Sequence, residues 1–379
     1  MSKPNNIPLI DLKKEYLFLK KEIQKQFESC LSSQQWVLGS KVSEFEKKAA
    51  KYLGSKYTIG VASGTDALIL SLKALAIKLK KKESFSKKDE IITTPFTFIA
   101  TAEAIVRSGA TPVFVDIDPD TFNIDPKEIK KAITKNTIGI LPVHLYGLAS
   151  GMGQINKIAK AHNLFVVEDA AQSFGGAYKG KKLGTLGTLG AFSFFPSKNL
   201  GSFGDAGLVA TNDKKLAEIL IALRNHGQSK IYNASFIGYN SRLDSIQAAV
   251  LLGKIKYVDK FNKSRRKIAN NYNKALKNIK QIQVPSAPEE CYHVYNLYTI
   301  KVKSKRDKLL KYLNSKGIAA RIYYPLPLNK MKAFRNGIIN GKLTNVYSLS
   351  KKVLSLPGHP FLSKASADYV IEAVKQFYS

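Results

Sequence analysis

The chain has 379 residues, 44% hydrophobic and 10% aromatic, enough for a large buried core and against wholesale disorder. Lys and Arg outnumber Asp and Glu by 60 to 28, a formal charge of +32. The longest apolar run, from Ala67 to Leu79, is interrupted by Ser71, Lys73 and Lys78, short of the roughly 20 apolar residues of a membrane span.

In chain order, strand candidates rich in Val, Ile and Phe fall at 57–62, 90–94, 112–117, 138–143, 164–169, 191–195 and 206–211. Several lack period-2 alternation, as strands do when both sheet faces are covered. Helix-periodic stretches at 66–80, 98–108, 126–133, 154–162 and 214–225 lie between them. This alternation predicts an α/β fold whose large domain holds a mostly parallel seven-stranded sheet flanked by helices. After Asp244 the texture changes. A long helical stretch to about Lys277 leads through Pro285 and Pro288 to a strand-like run at 295–302 and helical runs at 305–316 and 366–377. The predicted organisation is a large domain over 1–250, beginning with a helical segment, and a smaller α+β domain over 251–379.

The first twenty residues mix charge with apolar side chains and show no signal-peptide core. Two cysteines, Cys30 and Cys291, cannot build a disulfide framework or a four-ligand zinc site, and no metal is implied. Both features predict a cytoplasmic protein. The lysines are spread along the whole chain. The densest runs, Lys80–Lys82 and Lys263–Lys267 with Arg265 and Arg266, fall in or beside helical stretches, so they read as solvated faces. Without zinc-finger spacing or an aromatic RNA-binding strand, neither nucleic acid nor membrane is an expected partner.

Three segments carry chemistry. ASGTDAL begins at Ala62, directly after a strand, with Gly64 and Thr65 where the next helix starts. Glycine admits an anion to the backbone, a hydroxyl donates to it, and the helix N-terminus favours negative charge. Ser63 or Thr65 could equally be an ordinary helix cap. LFVVEDAAQ places Glu168 and Asp169 at the carboxyl end of an apolar strand, where ligands of open α/β sheets sit. A buried Asp there needs a cationic or donor partner, such as a protonated pyridine nitrogen, and Gln172 could bond the same ring. A metal ligand or a helix cap is the alternative. AFSFFPSKNLGSFGDAG puts Lys198 in a turn after an aromatic strand. A desolvated amine there loses its proton and becomes a nucleophile for a carbonyl. Ser193 faces away from Phe192 and Phe194 and could reach a phosphate; a surface loop lysine is the alternative reading of Lys198. Together the three segments are the parts that a pyridoxal phosphate site needs.

Their order and wording resemble the DegT/DnrJ/StrS sugar aminotransferases, which share the aspartate aminotransferase fold. The resemblance runs nearly end to end, through IPLIDLKKEY, WVLGSKVSEFE, ASGTDAL, TPFTFIAT, PVHLYG, VEDAAQSFG, FSFFPSKNLGSFGDAG, LRNHGQ, GYNSRLDSIQAAVL and YYPLPL. It implies that Lys198 bonds to the cofactor and shuttles protons, and that Asp169 keeps the pyridine nitrogen protonated. Gln172 would contact the ring near its phenolic oxygen. Gly64, Thr65 and Ser193 would hold the phosphate, joined by Asn240 of a neighbouring subunit in a homodimer. Phe96 would stack on the ring face, with a plain core role as its rival.

Some relatives carry histidine in place of the lysine and catalyse dehydration, so Lys198 implies amine transfer. L-Glutamate would be the donor and a nucleotide-linked keto-sugar the acceptor. The N-terminal segment, His144–Gly147 and the 228–240 stretch look most like members acting at C3 of dTDP-3-keto-6-deoxyhexoses. Amination at C4 of a UDP- or GDP-sugar is the alternative. His144, Tyr146, Tyr323 and Tyr324 stand outside the catalytic set, as sugar or wall contacts or, equally, as packing. A non-catalytic regulator or binding protein on the same fold would have no need of lysine, aspartate and phosphate cup together.

Overall fold

The computed structural model describes residues 6–230 and 232–379. Seven strands appear where the apolar runs predict them: β1 Tyr57–Val61, β2 Glu90–Thr93, β3 Thr111–Phe114, β4 Thr137–Ile140, β5 Phe165–Asp169, β6 Leu189–Ser193 and β7 Gly207–Thr211. Their spatial order is β1-β7-β6-β5-β4-β2-β3. From β6 to β3 all neighbours are parallel, whereas β7 runs antiparallel to both β6 and β1. An eighth, two-residue strand, Ile338–Ile339, adds in parallel beside β3. It comes from the C-terminal part of the chain and carries no strand signal of its own.

Both faces of the sheet are covered, which is why its strands read as continuous apolar runs. Ile59, Val61, Phe165, Val167, Leu189, Ala191 and Val209 face α3 (Gly64–Lys80) and α4 (Ala100–Arg107). Phe192, Leu208 and Ala210 face the opposite way, against Phe45, Leu243, Ala248 and Leu251. The period-2 alternation of β5 and β6 therefore puts Asp169 and Ser193 on the α3/α4 side and Glu168 on the other. That parity decides the roles of the two carboxylates. α3 is buried on nearly every side from Ala67 to Ile77, so it reads as an apolar run without a polar stripe.

Beyond the sheet, the long helical stretch divides into Ser245–Lys254, a 3-10 turn at Ile255–Tyr257 and a long helix at Val258–Leu276. The C-terminal part builds a three-stranded antiparallel sheet from Ile282–Gln283, Tyr298–Val302 and Val353–Leu356. The helices Arg306–Ser315 and Lys364–Tyr378 supply much of its core, with Leu309, Leu313, Val370 and Val374 packed on Ile300 and Leu354. Ile7, near the other end of the chain, pairs with Ile318 of this unit. Among the described residues no helix is long and apolar enough to cross a membrane.

Candidate active site

The candidate site lies at the carboxyl ends of β1, β5 and β6. After β1, Ser63 caps α3: its hydroxyl accepts the Asp66 amide at 3.1 Å. The amides of Gly64 and Thr65 find no protein acceptor among the described residues, and they lie on the half-open end of the helix. A Cβ at Gly64 would lie 2.5 Å from Ser193 Cβ and 3.0 Å from its Oγ. Gly64 and Ser193 thus line one small cradle at the positive end of a helix, with two free amides and Thr65 next in the first turn of α3. The Asp66 carboxylate turns aside and accepts the Ser241 hydroxyl at 2.7 Å. Asn240, next to Ser241, is exposed, and its side chain makes no hydrogen bond within the described chain.

Asp169 ends β5, 6% exposed, beside the cradle strand β6. Its Oδ2 accepts the Thr101 hydroxyl at 2.8 Å and its Oδ1 accepts the Ala171 amide at 3.2 Å. Loss of hydration raises its affinity for a proton above the usual carboxylate range, against the Thr101 and Ala171 donors and the Lys198 charge. Such a carboxylate calls for a further positive partner.

Lys198 sits half-buried in the turn after β6, held by its own amide to the Phe195 carbonyl at 2.9 Å. A Cβ at Gly201 would lie 2.3 Å from the Pro196 carbonyl oxygen, so the turn closes only over a glycine. Asn199 ties the turn down: its Nδ2 donates to Asn262 Oδ1 at 2.7 Å and to the Val294 carbonyl at 3.2 Å. Loss of hydration lowers the Lys198 amine below the usual lysine range, and the Asp169 charge offsets only part of that. The amine is thus biased towards its neutral, nucleophilic form.

Glu168, on the other face of β5, is wholly buried and saturated. It accepts the amides of Leu186 and Gly187 at 2.6 Å on Oε1, and Gly184 and His144 Nε2 at 2.8 Å on Oε2. The Ser150 amide donates to His144 Nδ1 at 3.1 Å, which fixes the imidazole hydrogen on Nε2. With both ring nitrogens engaged and no exposed surface, His144 is a structural link and not a sugar contact.

The aromatic assignment needs correction. Phe96 is 0% exposed and packs among Ile117, Phe122, Val143 and Tyr146. No face of its ring is open to a cofactor. Phe98, two residues on, is 54% exposed and lies 6.4 Å from the Tyr324 ring. The Thr101 amide bonds to the Phe98 carbonyl, so the residue stands one helical turn before the Asp169 donor. Two phenylalanines in one short string are indistinguishable by type; only the start of α4 separates them. Tyr324, arriving from the C-terminal part, accepts Gln172 Nε2 at 3.1 Å, and Gln172 Oε1 accepts the Tyr146 amide at 2.8 Å. Burial holds the Tyr324 hydroxyl well above the usual phenol range, so it stays protonated. The Tyr146 hydroxyl donates to the Tyr323 carbonyl, placing both tyrosines in the wall.

Residues 18–375 match the DegT/DnrJ/EryC1/StrS aminotransferase family. The chain is 43% identical over 376 residues to a pleiotropic regulatory protein of Geobacillus stearothermophilus, with 98% of this chain and 99% of that protein covered. It is 42% identical over 371 residues to the dTDP-3-amino-3,6-dideoxy-alpha-D-galactopyranose transaminase of Aneurinibacillus thermoaerophilus, with 98% and 99% covered. Among solved structures, S. venezuelae DesV in complex with a ketimine intermediate superposes with a TM-score of 0.94 at 37% identity, with 99% of each chain covered. The family is pyridoxal phosphate dependent. The residues here fit that cofactor: a cradle with free amides for a phosphate, a buried carboxylate in need of a cation, and a desolvated lysine. The chain belongs to the DegT/DnrJ/EryC1/StrS aminotransferase family.

Proposed function

We propose that this protein transfers an amino group from L-glutamate to the keto carbon of a nucleotide-linked sugar, at C3 of a dTDP-3-keto-6-deoxyhexose. The observation that carries the reading is the gathering, at the carboxyl ends of neighbouring strands β5 and β6, of buried Asp169, the turn that holds Lys198 and the Gly64–Ser193 cradle. Bound pyridoxal phosphate supplies a carbonyl that holds the migrating amine and a protonated ring that accepts electrons. Lys198 Nζ takes the proton from glutamate Cα and, in the second half-reaction, delivers one to the sugar carbon. Asp169 holds its negative charge against the ring nitrogen through both halves. Gly64, Thr65 and Ser193 anchor the phosphate, while Phe98, Gln172 and Tyr324 wall the ring.

The enzyme works as a cytoplasmic homodimer in which Asn240 reaches the phosphate of the neighbouring subunit. The C3 assignment is supported by the similarity to the Aneurinibacillus transaminase; a UDP- or GDP-4-keto sugar is the competing acceptor. The reading expects a visible absorption band in the protein with pyridoxal phosphate, trapped by borohydride on the Lys198 peptide and lost on adding L-glutamate. A spectrum that the cofactor leaves unchanged would favour a regulator without turnover, the reading suggested by the name of the Geobacillus relative. Turnover of paired 3-keto and 4-keto sugars then decides the acceptor.

A further inference from the structure

We infer that Thr101, oriented by Thr97, is a positioning residue that fixes which lone pairs of Asp169 are left for the ring nitrogen of the cofactor. Both threonines are buried, Thr101 completely, and they stand one turn apart at the start of α4. The Thr101 hydroxyl has a single hydrogen, and it goes to Asp169 Oδ2 at 2.8 Å. Its oxygen lies 3.0 Å from the Thr97 hydroxyl, so Thr97 must be the donor of that second bond. The relay therefore runs one way, from Thr97 to Thr101 to Asp169. Among the described residues, Thr101 is the one side chain that hydrogen-bonds the Asp169 carboxylate.

A hydroxyl suits this place for a physical reason. It steadies a buried carboxylate without neutralising it, so the charge stays available to a protonated ring, which a lysine or arginine in contact would cancel. Together with the Ala171 amide on Oδ1 it leaves each oxygen one free direction. The other titratable groups around Asp169 are Lys198 from the turn after β6, His144 from the loop after β4, Tyr324 from the C-terminal part, and Glu168 on the same strand. His144 spends its Nε2 hydrogen on Glu168, and Glu168 points to the opposite sheet face. None of them replaces the Thr101 bond.

The inference rests on the site's being a pyridoxal phosphate site. Its test uses pyridoxamine phosphate, which forms no covalent bond to Lys198, so its uptake by the purified apoprotein does not report that amine's nucleophilicity. Affinity should fall on the acid side as Asp169 takes up a proton. Thr101→Val, which keeps the shape and removes the donor, should move that fall up by about one pH unit. Thr101→Ser should restore it, and Thr97→Val should move it the same way by less. A Thr101→Val protein whose affinity drops equally at all pH values, with the fall unmoved, would overturn the assignment and leave a packing role. Should that variant not fold, Thr101→Ala and Thr97→Val carry the same test. Wild-type protein that takes up no pyridoxamine phosphate at any pH would instead overturn the underlying reading of the site.

Discussion

The Cα of Gly64 lies so close to Ser193 that a methyl group added there would stand 2.5 Å from the serine Cβ and 3.0 Å from its Cα. The first turn of α3 and the last residue of β6 are separated by nothing else. Ser193 belongs to a strand bonded to β5 and β7 and cannot retreat, so Gly64→Ala must push the start of α3 away. The two free amides and the Thr65 hydroxyl go with it. Forcing the start of a buried helix off its seat should also lower stability, by about 1–3 kcal/mol as overpacking does elsewhere, offset in part by the helix preference of alanine over glycine. Cofactor affinity should fall about tenfold or more, the loss of one to two hydrogen bonds to a charged group. Titration with pyridoxal phosphate beside a thermal melt checks this; unchanged affinity would remove Gly64 from the cradle.

Phe96 and Phe98 make opposite predictions from nearly the same place in the chain. Phe96→Ala empties a wholly buried site and should cost about 3–5 kcal/mol of stability. Phe98→Ala removes a half-exposed ring beside Tyr324 and should leave stability within about 0.5 kcal/mol, as for most exposed positions. In exchange it should loosen the cofactor and slow turnover. Urea unfolding and cofactor titration of the two variants settle the pair; a cofactor defect confined to Phe96→Ala would reverse the assignment.

These two residues also show what a sequence discloses and what it leaves hidden. The seven strands are visible because burial on both faces makes each an apolar run, and that same burial hides which face a residue takes. Glu168 and Asp169 are chemically alike and adjacent. Their fates divide only because the amides of Gly184, Leu186 and Gly187 fold back over one face, while Thr101 stands over the other. Phe96 is separated from Phe98 only by the point at which α4 starts. The Thr97–Thr101 relay has no signature beyond two threonines at helical spacing. The edge pair Ile338–Ile339 is too short for any periodicity to show.

Glu168 itself yields a stability prediction. Two donors meet each of its oxygens, so Glu168→Gln must turn its amide NH2 towards two N–H groups whichever way it lies. His144 cannot relieve this by moving its hydrogen to Nδ1, because the Ser150 amide already points there. Despite being isosteric, the change should cost about 3 kcal/mol or more, from unpaired buried donors at about 1–3 kcal/mol each. Equilibrium unfolding in urea measures it. A Glu168→Gln protein as stable as the parent would mean that the carboxyl is not the acceptor of all four bonds.

The last prediction concerns Asn240. Its side chain is exposed and bonds to nothing within the described chain, yet its backbone is pinned by pairing with Asn225, and Ser241 beside it is tied to Asp66. Ile237, at 79% exposure, stands on the same segment. A polar side chain held rigidly beside exposed apolar surface suits a contact made across an interface. If Asn240 completes the phosphate site of a neighbouring subunit, Asn240→Ala should weaken cofactor retention in every site of the dimer. A protein carrying only Lys198→Ala should be inactive. Dimers mixed from the two variants should then contain one site with both residues intact and one with neither. Activity should reappear on mixing, approaching half of the wild-type value per mixed dimer. Recovery is the expected outcome because each lesion falls in a different site; with Asn240 acting within its own chain, mixing could not raise activity above the sum of the two parents.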